Sequence, residues 1–204
     1  MQSSPKDPWT WTSQSIAYEN PWISVEERRG RTPTGTSAFY GIVRFQRLAV
    51  GVLPIDADGS VHLVGQWRVP LNRYEWEMPE GGAEPGETGG IETAHREMAE
   101  EAGLACTSLV EVLRMDLSNS VTDEQAICYI ATGLSRVPMQ PDETEDLAQR
   151  QIPFMMALEE ALTGKIRDSL TVATLLRAHH MAITGALDSA LAKAMLTEVH
   201  GDQP

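Results

Sequence analysis

Residues 96–104 read Arg-Glu-Met-Ala-Glu-Glu-Ala-Gly-Leu. Glu97, Glu100 and Glu101 stand at i, i+3 and i+4, so a helix through this segment carries all three carboxylates on one face. Like charges at that spacing repel and weaken the bare helix, and a bound divalent cation removes the penalty. Oxygen ligands select a hard ion, Mg²⁺ or Mn²⁺, and Mg²⁺ keeps part of its shell for water and phosphate oxygens. A charge run on a helix is more often a solvated face, but the loop in front tips the balance. Glu80-Gly81-Gly82-Ala83-Glu84-Pro85-Gly86-Glu87 lets backbone come close to a ligand, and its carbonyls are further candidate metal ligands. Glu87 is placed to pair with Arg96 and pin the loop to the helix. Arg96 itself is expected to point away from the three glutamates.

Hydrophobic periodicity outlines the scaffold that must position these residues. Residues 1–14 are largely polar and read as a flexible tail. Ile23 to Glu27 alternates as a strand does, Arg28 to Ser37 reads as a hairpin turn, and Ala38 to Phe45 is the next strand. Leu48 to Ile55 is a nearly continuous apolar run, the mark of a buried central strand. Asp56-Ala57-Asp58-Gly59 is a tight turn, and Val61 to Gln66 returns as a strand. Residues 79–90 read as a long glycine-rich loop, and Ile91 to Ala102 as a helix stopped by Gly103. Strands follow at Leu109 to Met115 and Ala126 to Thr132. Helices are expected at Phe154 to Thr163, Ser169 to Thr184 and Leu187 to Val199. Strands with a few helices outside them predict an α+β or α/β sandwich.

Gly81, Glu87 and the run Arg96-Glu97-Met98-x-Glu100-Glu101-x-Gly103-Leu104 resemble the Nudix box, G-x5-E-x7-R-E-U-x-E-E-x-G-U, where U is a bulky apolar residue. One departure is visible: eight residues, not seven, separate Glu87 from Arg96. The resemblance covers roughly residues 15–180 and implies a Nudix fold, a mixed β-sheet sandwiched between α-helices. It divides the chain into the tail, an N-terminal antiparallel strand region at 15–45, and a hydrolase domain with C-terminal helices at 46–204. It implies that Glu97, Glu100 and Glu101 bind metal, joined by the backbone carbonyl of Glu80. Glu101 and Arg96 then belong to the catalytic set. The reaction implied is attack of water on phosphorus, with Mg²⁺ or Mn²⁺ neutralising the developing charge.

Outside the box, Gln66-Trp67-Arg68 and Tyr74-Glu75-Trp76-Glu77-Met78-Pro79-Glu80-Gly81 resemble the ADP-ribose pyrophosphatase and nucleotide-sugar branch. Arg68 matches a position that contacts the substrate diphosphate, which suits its bidentate fork. Glu77 either contacts the nucleoside or pairs with Arg68. Trp67, Tyr74 and Trp76 stack on a base or pack in the core. Glu143-Thr144-Glu145-Asp146-Leu147 is similar to the acidic loop that supplies the catalytic base, Glu145 first and Glu143 second. Ser120, in the polar loop 118–124, is expected to line the pocket. Members of the branch often carry a proline about sixteen residues beyond the box; there is none around Ser120, which leaves other nucleoside diphosphate sugars open. The branch is commonly dimeric through its N-terminal strands, and Arg28, Arg29, Arg31 and Arg44 suit that arrangement.

The whole composition agrees with a small-molecule enzyme. With 204 residues, 42% hydrophobic and 22% charged, the chain suits one domain. Its net charge of -13 disfavours nucleic acid and anionic membrane as partners. Cys106 and Cys128 read as free thiols, and no apolar run reaches membrane-spanning length. The expectation is a cytoplasmic homodimer acting on a nucleoside diphosphate compound. The alternatives are a nucleotide-sugar sensor without catalysis, or an enzyme of the same family acting on dinucleoside polyphosphates or nucleoside triphosphates.

Overall fold

The computed structural model describes residues 6–84, 86–87, 89–139 and 146–197. The chain divides into two compact units, residues 1–47 with 116–124, and residues 48–115 with 125–204.

The first unit is an antiparallel sheet of β1 (Thr10–Glu19), β2 (Ile23–Arg31) and β3 (Ser37–Phe45) in that spatial order. Thr10 to Gln14, expected in the tail, belong to β1, where Thr10 pairs with Arg31 and Trp11 with Gly30. The expected hairpin turn is shorter than its residues suggested. The strands run in to Arg31 and Ser37, and Gly35 takes the positive φ that closes the turn. The arginines of this unit have partners within their own chain. Arg28 and Arg44 both reach buried Glu26, Arg44 also holds Asp123 at 3.0 Å, Arg29 lies over Phe39, and Arg31 donates to the Gly35 carbonyl.

The second unit holds β4 (Ala49–Pro54), β5 (Ser60–Arg68), β6 (Arg73–Glu77), β7 (Glu80–Gly82), α1 (Ile91–Ala102) and β8 (Leu104–Ala105). It continues with β9 (Ser108–Asp116), β10 (Gln125–Thr132), β11 (Ser135–Arg136) and β12 (Ala148–Pro153). Three helices complete it: α2 (Phe154–Leu162), α3 (Ser169–Thr184) and α4 (Ser189–Met195). One mixed sheet runs β7-β4-β10-β9, with β4 and β10 parallel and β4 and β7 antiparallel. An antiparallel sheet runs β12-β5-β6. A strand inside the expected glycine-rich loop, β7, is the main addition to the outline.

Alternation along β4 sorts its two faces. Val50 and Val52 pack with Ala94, Met98 and Ala102 of α1 and with Ile127, Tyr129 and Ala131. On the opposite face, a Cβ built on Gly51 would lie 3.3 Å from Leu170 of α3. The mixed sheet is therefore sandwiched between α1 and α3. This double burial explains why Leu48 to Ile55 is apolar at successive positions rather than alternate ones.

Cys128 of β10 is fully buried, and burial pushes its thiol up to about 11, whereas Cys106 is only partly buried. The thiolate is the reactive form. A thiol reagent at pH 8 is therefore expected to modify Cys106 alone in the native protein, and both cysteines after denaturation. Equal native rates, read by mass spectrometry, would contradict this packing.

Candidate active site

Helix α1 presents its carboxylates to β7. Glu97 and Glu101, one turn apart, are only 8% and 2% exposed, while Glu100 stands nearer solvent. Glu80 donates its backbone N–H to Glu101 Oε2 at 3.0 Å. Gly81 faces Glu97 so closely that a Cβ there would fall 1.9 Å from Glu97 Oε1. The box glycine is thus required by the carboxylate's position, not by a positive φ. Hard carboxylate oxygens gathered in this way suit a divalent cation. Glu97, Glu100 and Glu101 are the residues that would hold the ion.

Two sequence expectations about the box need correction. Glu87 does not pair with Arg96; it accepts the Thr93 backbone N–H at 3.1 Å and the Thr93 hydroxyl. Thr93 lies in the first turn of α1, where backbone N–H groups lack helical partners, and the helix starts at Gly90, which has no side chain to cap them. With eight residues before Arg96, Glu87 closes the helix start instead, and its hydrogen bonds with Thr93 hold its carboxyl below the usual range. Arg96 does not point away from the glutamates. It reaches Glu97 Oε1 at 2.8 Å and Glu100 Oε2 at 2.9 Å, the latter as an i,i+4 pair. Burial works against its charge, but Glu97 and Glu100 outweigh burial and raise its pKa.

A second knot of charge lies beside β7. Arg68, at the end of β5, holds Glu77 Oε1 at 2.6 Å, Glu77 Oε2 at 3.0 Å and Glu80 Oε1 at 2.7 Å. Gln66 donates to Glu77 at 2.9 Å. Of the two roles open to Glu77, pairing with Arg68 is the one present. Burial raises the Glu77 carboxyl, with Arg68 opposing. Burial, then the nearby Asp168 and Glu77 charges, push the Glu80 carboxyl well above the carboxylate range. Asp168 had not been singled out from the sequence. Its signal was there, as the residue capping α3, where it accepts the Thr171 N–H at 2.7 Å. A cleft of about 430 Å³ opens next to this knot, lined by Arg68, Leu71, Arg73, Glu77 and Asp168 among others. Another, of about 670 Å³, is lined by Glu84, Glu87, Glu92, Thr93 and Arg96 among others.

The remaining candidates fall elsewhere. Trp67 is 54% exposed, so it is not core, while Trp76 is covered by the Arg150 guanidinium at 4.4 Å. Ser120 belongs to the first unit, where its carbonyl accepts the Tyr40 hydroxyl. Glu143 and Glu145 lie outside the described residues.

The NUDIX domain model matches residues 45–175. The chain belongs to the NUDIX family. It is 31% identical over 133 residues to an ADP-ribose pyrophosphatase of Mycobacterium tuberculosis, covering 64% of each chain, just under two thirds of that relative's length. It is 33% identical over 148 residues to a methanol dehydrogenase activator of Bacillus methanolicus, covering 69% of this chain and 76% of the relative. An ADP-ribose pyrophosphatase of Bacillus subtilis is 30% identical over 141 residues, covering 68% and 75%. A solved structure described as an ADP compounds hydrolase superposes with a TM-score of 0.78 at 22% identity, over 91% of this chain and 100% of the other. The NUDIX fold expected from the box is the fold observed.

Gly81→Ala places a methyl group where the Glu97 carboxylate now sits. We expect Mg²⁺ affinity, measured by calorimetry, to fall about tenfold or more, with little change in melting temperature. Unaltered affinity would remove Gly81 from the metal-site geometry.

Proposed function

We propose that this NUDIX chain is a pyrophosphohydrolase that cleaves the diphosphate of a nucleoside diphosphate-linked compound. The products are a nucleoside monophosphate and a sugar phosphate. ADP-ribose or a related nucleotide sugar is the first candidate substrate, a choice that rests on the relatives named as ADP-ribose pyrophosphatases. The observation that carries the reading is the buried pair Glu97 and Glu101 held against the backbone of β7. Keeping all three box glutamates in place favours catalysis over a sensor that merely binds.

In this reading Glu97, Glu100 and Glu101 hold Mg²⁺ or Mn²⁺, with the Glu80 carbonyl as a further ligand. The bound ion supplies positive charge for the phosphoryl oxygens and acidifies water. Arg96 neutralises the glutamates when they are bare and orients them afterwards. Arg68 turns its fork from Glu77 to the substrate diphosphate, and Glu77 and Trp67 contact the nucleoside. Glu145, or Glu143, takes the proton from the attacking water. We infer a cytoplasmic homodimer that pairs through the first-unit sheet, where Ile16, Tyr18 and Phe39 are exposed.

A panel of nucleoside diphosphate sugars, dinucleoside polyphosphates and nucleoside triphosphates, assayed with Mg²⁺ and Mn²⁺ for monophosphate release, tests the reading. Activity is expected on the diphosphate sugars. Activity confined to triphosphates would overturn the substrate class. Glu101→Gln is expected to lower kcat about a hundredfold or more while the protein remains folded. An unchanged kcat in that variant would overturn the mechanism.

A further inference from the structure

We propose that Gln149 is a positioning residue for the carboxylate-bearing end of α1, acting through the backbone carbonyl of Glu101. The inference rests on the reading of Glu100 and Glu101 as metal ligands and adds the residue that holds them in place. Both glutamates stand in the last turn of α1, which ends at Ala102 and carries no basic residue there. That is an unfavourable place for a ligand. The negative end of the helix dipole repels carboxylates. The last four carbonyls of a helix have no partner within it, and its end frays. A metal ligand on such a turn keeps its place only if something outside the helix holds it.

Gln149 supplies that hold. Its side-chain amide donates to the Glu101 carbonyl, one of the last four of α1. The donor stands on a fixed strand. β12 pairs with β5 from Ala148 opposite Gly65 to Pro153 opposite Ser60. It then runs straight into α2, whose first residue, Phe154, is fully buried. Glu80 of β7 holds the same glutamate by its carboxylate, with its N–H bonded to Glu101 Oε2 at 3.0 Å. Glu101 is thus tied by its main chain to the β12-β5-β6 sheet and by its side chain to the β7-β4-β10-β9 sheet. The Gln149 amide also meets Met139 Sδ at 3.1 Å, so its two acceptors can be removed separately.

Calorimetric titration of the full chain with Mg²⁺, without substrate, tests the role. Gln149→Met keeps the length of the side chain and removes the donor. Gln149→Asn keeps the amide but is one methylene shorter, so its nitrogen falls short of the carbonyl. Both are expected to bind Mg²⁺ about tenfold more weakly than the wild type, with melting temperatures little changed. Their kcat should fall at limiting Mg²⁺ and recover at saturating Mg²⁺, which a general loss of stability would not produce. Met139→Leu removes the other acceptor, leaves the bond to Glu101, and should bind Mg²⁺ as the wild type does. Wild-type affinity in both Gln149 variants, or an equal loss in Met139→Leu, would overturn the positioning role. Glu101→Gln, titrated alongside, is expected to lose Mg²⁺ affinity. Unchanged affinity there would overturn the box assignment itself, whereas its loss beside wild-type affinity in the Gln149 variants overturns the role of Gln149 alone.

Discussion

Carboxylates removed from water constrain the active face of this molecule. Glu77, Glu97 and Glu101 are each less than a tenth exposed. A buried charge costs several kcal/mol unless it is paired and hydrogen-bonded. Here the compensation comes from one short strand and two arginines. β7 gives Glu101 a backbone N–H and gives Glu97 the space of a missing side chain at Gly81. Arg68 and Arg96 take up part of the remaining negative charge. Neither arginine completes the neutralisation, and the face keeps a surplus of negative charge.

The sandwich around β4 makes such an arrangement sustainable. β4 pairs with β7 on one edge and with β10 on the other, and both of its faces are covered. α1 therefore cannot slide on the sheet without breaking the packing of Met98 and Ala102 against Val50, Val52 and Ile127. Close-packed interiors resist such displacements. Fixing α1 fixes Glu97 and Glu101 relative to Gly81, so the apolar core sets the distances between these groups. α3 does the same from the opposite face, and its capping residue Asp168 joins the charged group beside β7.

Local chemistry also adjusts where the family pattern is not met. The extra residue between Glu87 and Arg96 breaks the pairing that the pattern implies. Both residues still find favourable partners. Glu87 satisfies Thr93 at the start of α1, where acceptors are needed, and Arg96 satisfies glutamates on its own helix.

Much of this was legible in the chain itself. The limits of α1 and its stop at Gly103 follow from helical periodicity and the left-handed preference of glycine, both local properties. The nearly unbroken apolar run of β4 announced a strand buried on both faces, and the i, i+3, i+4 spacing announced carboxylates gathered on one helix. Tertiary structure decided the rest. Thr10 to Gln14 are strand because β2 supplies their hydrogen bonds, which no local pattern reveals. Arg96 turned toward the glutamates because burial beside β7 left their charge uncompensated. Asp168 reached Glu77 and Glu80 only because α3 packs against the link between β6 and β7, across some ninety residues of sequence, and electrostatic partners at that separation are chosen by folding rather than by spacing.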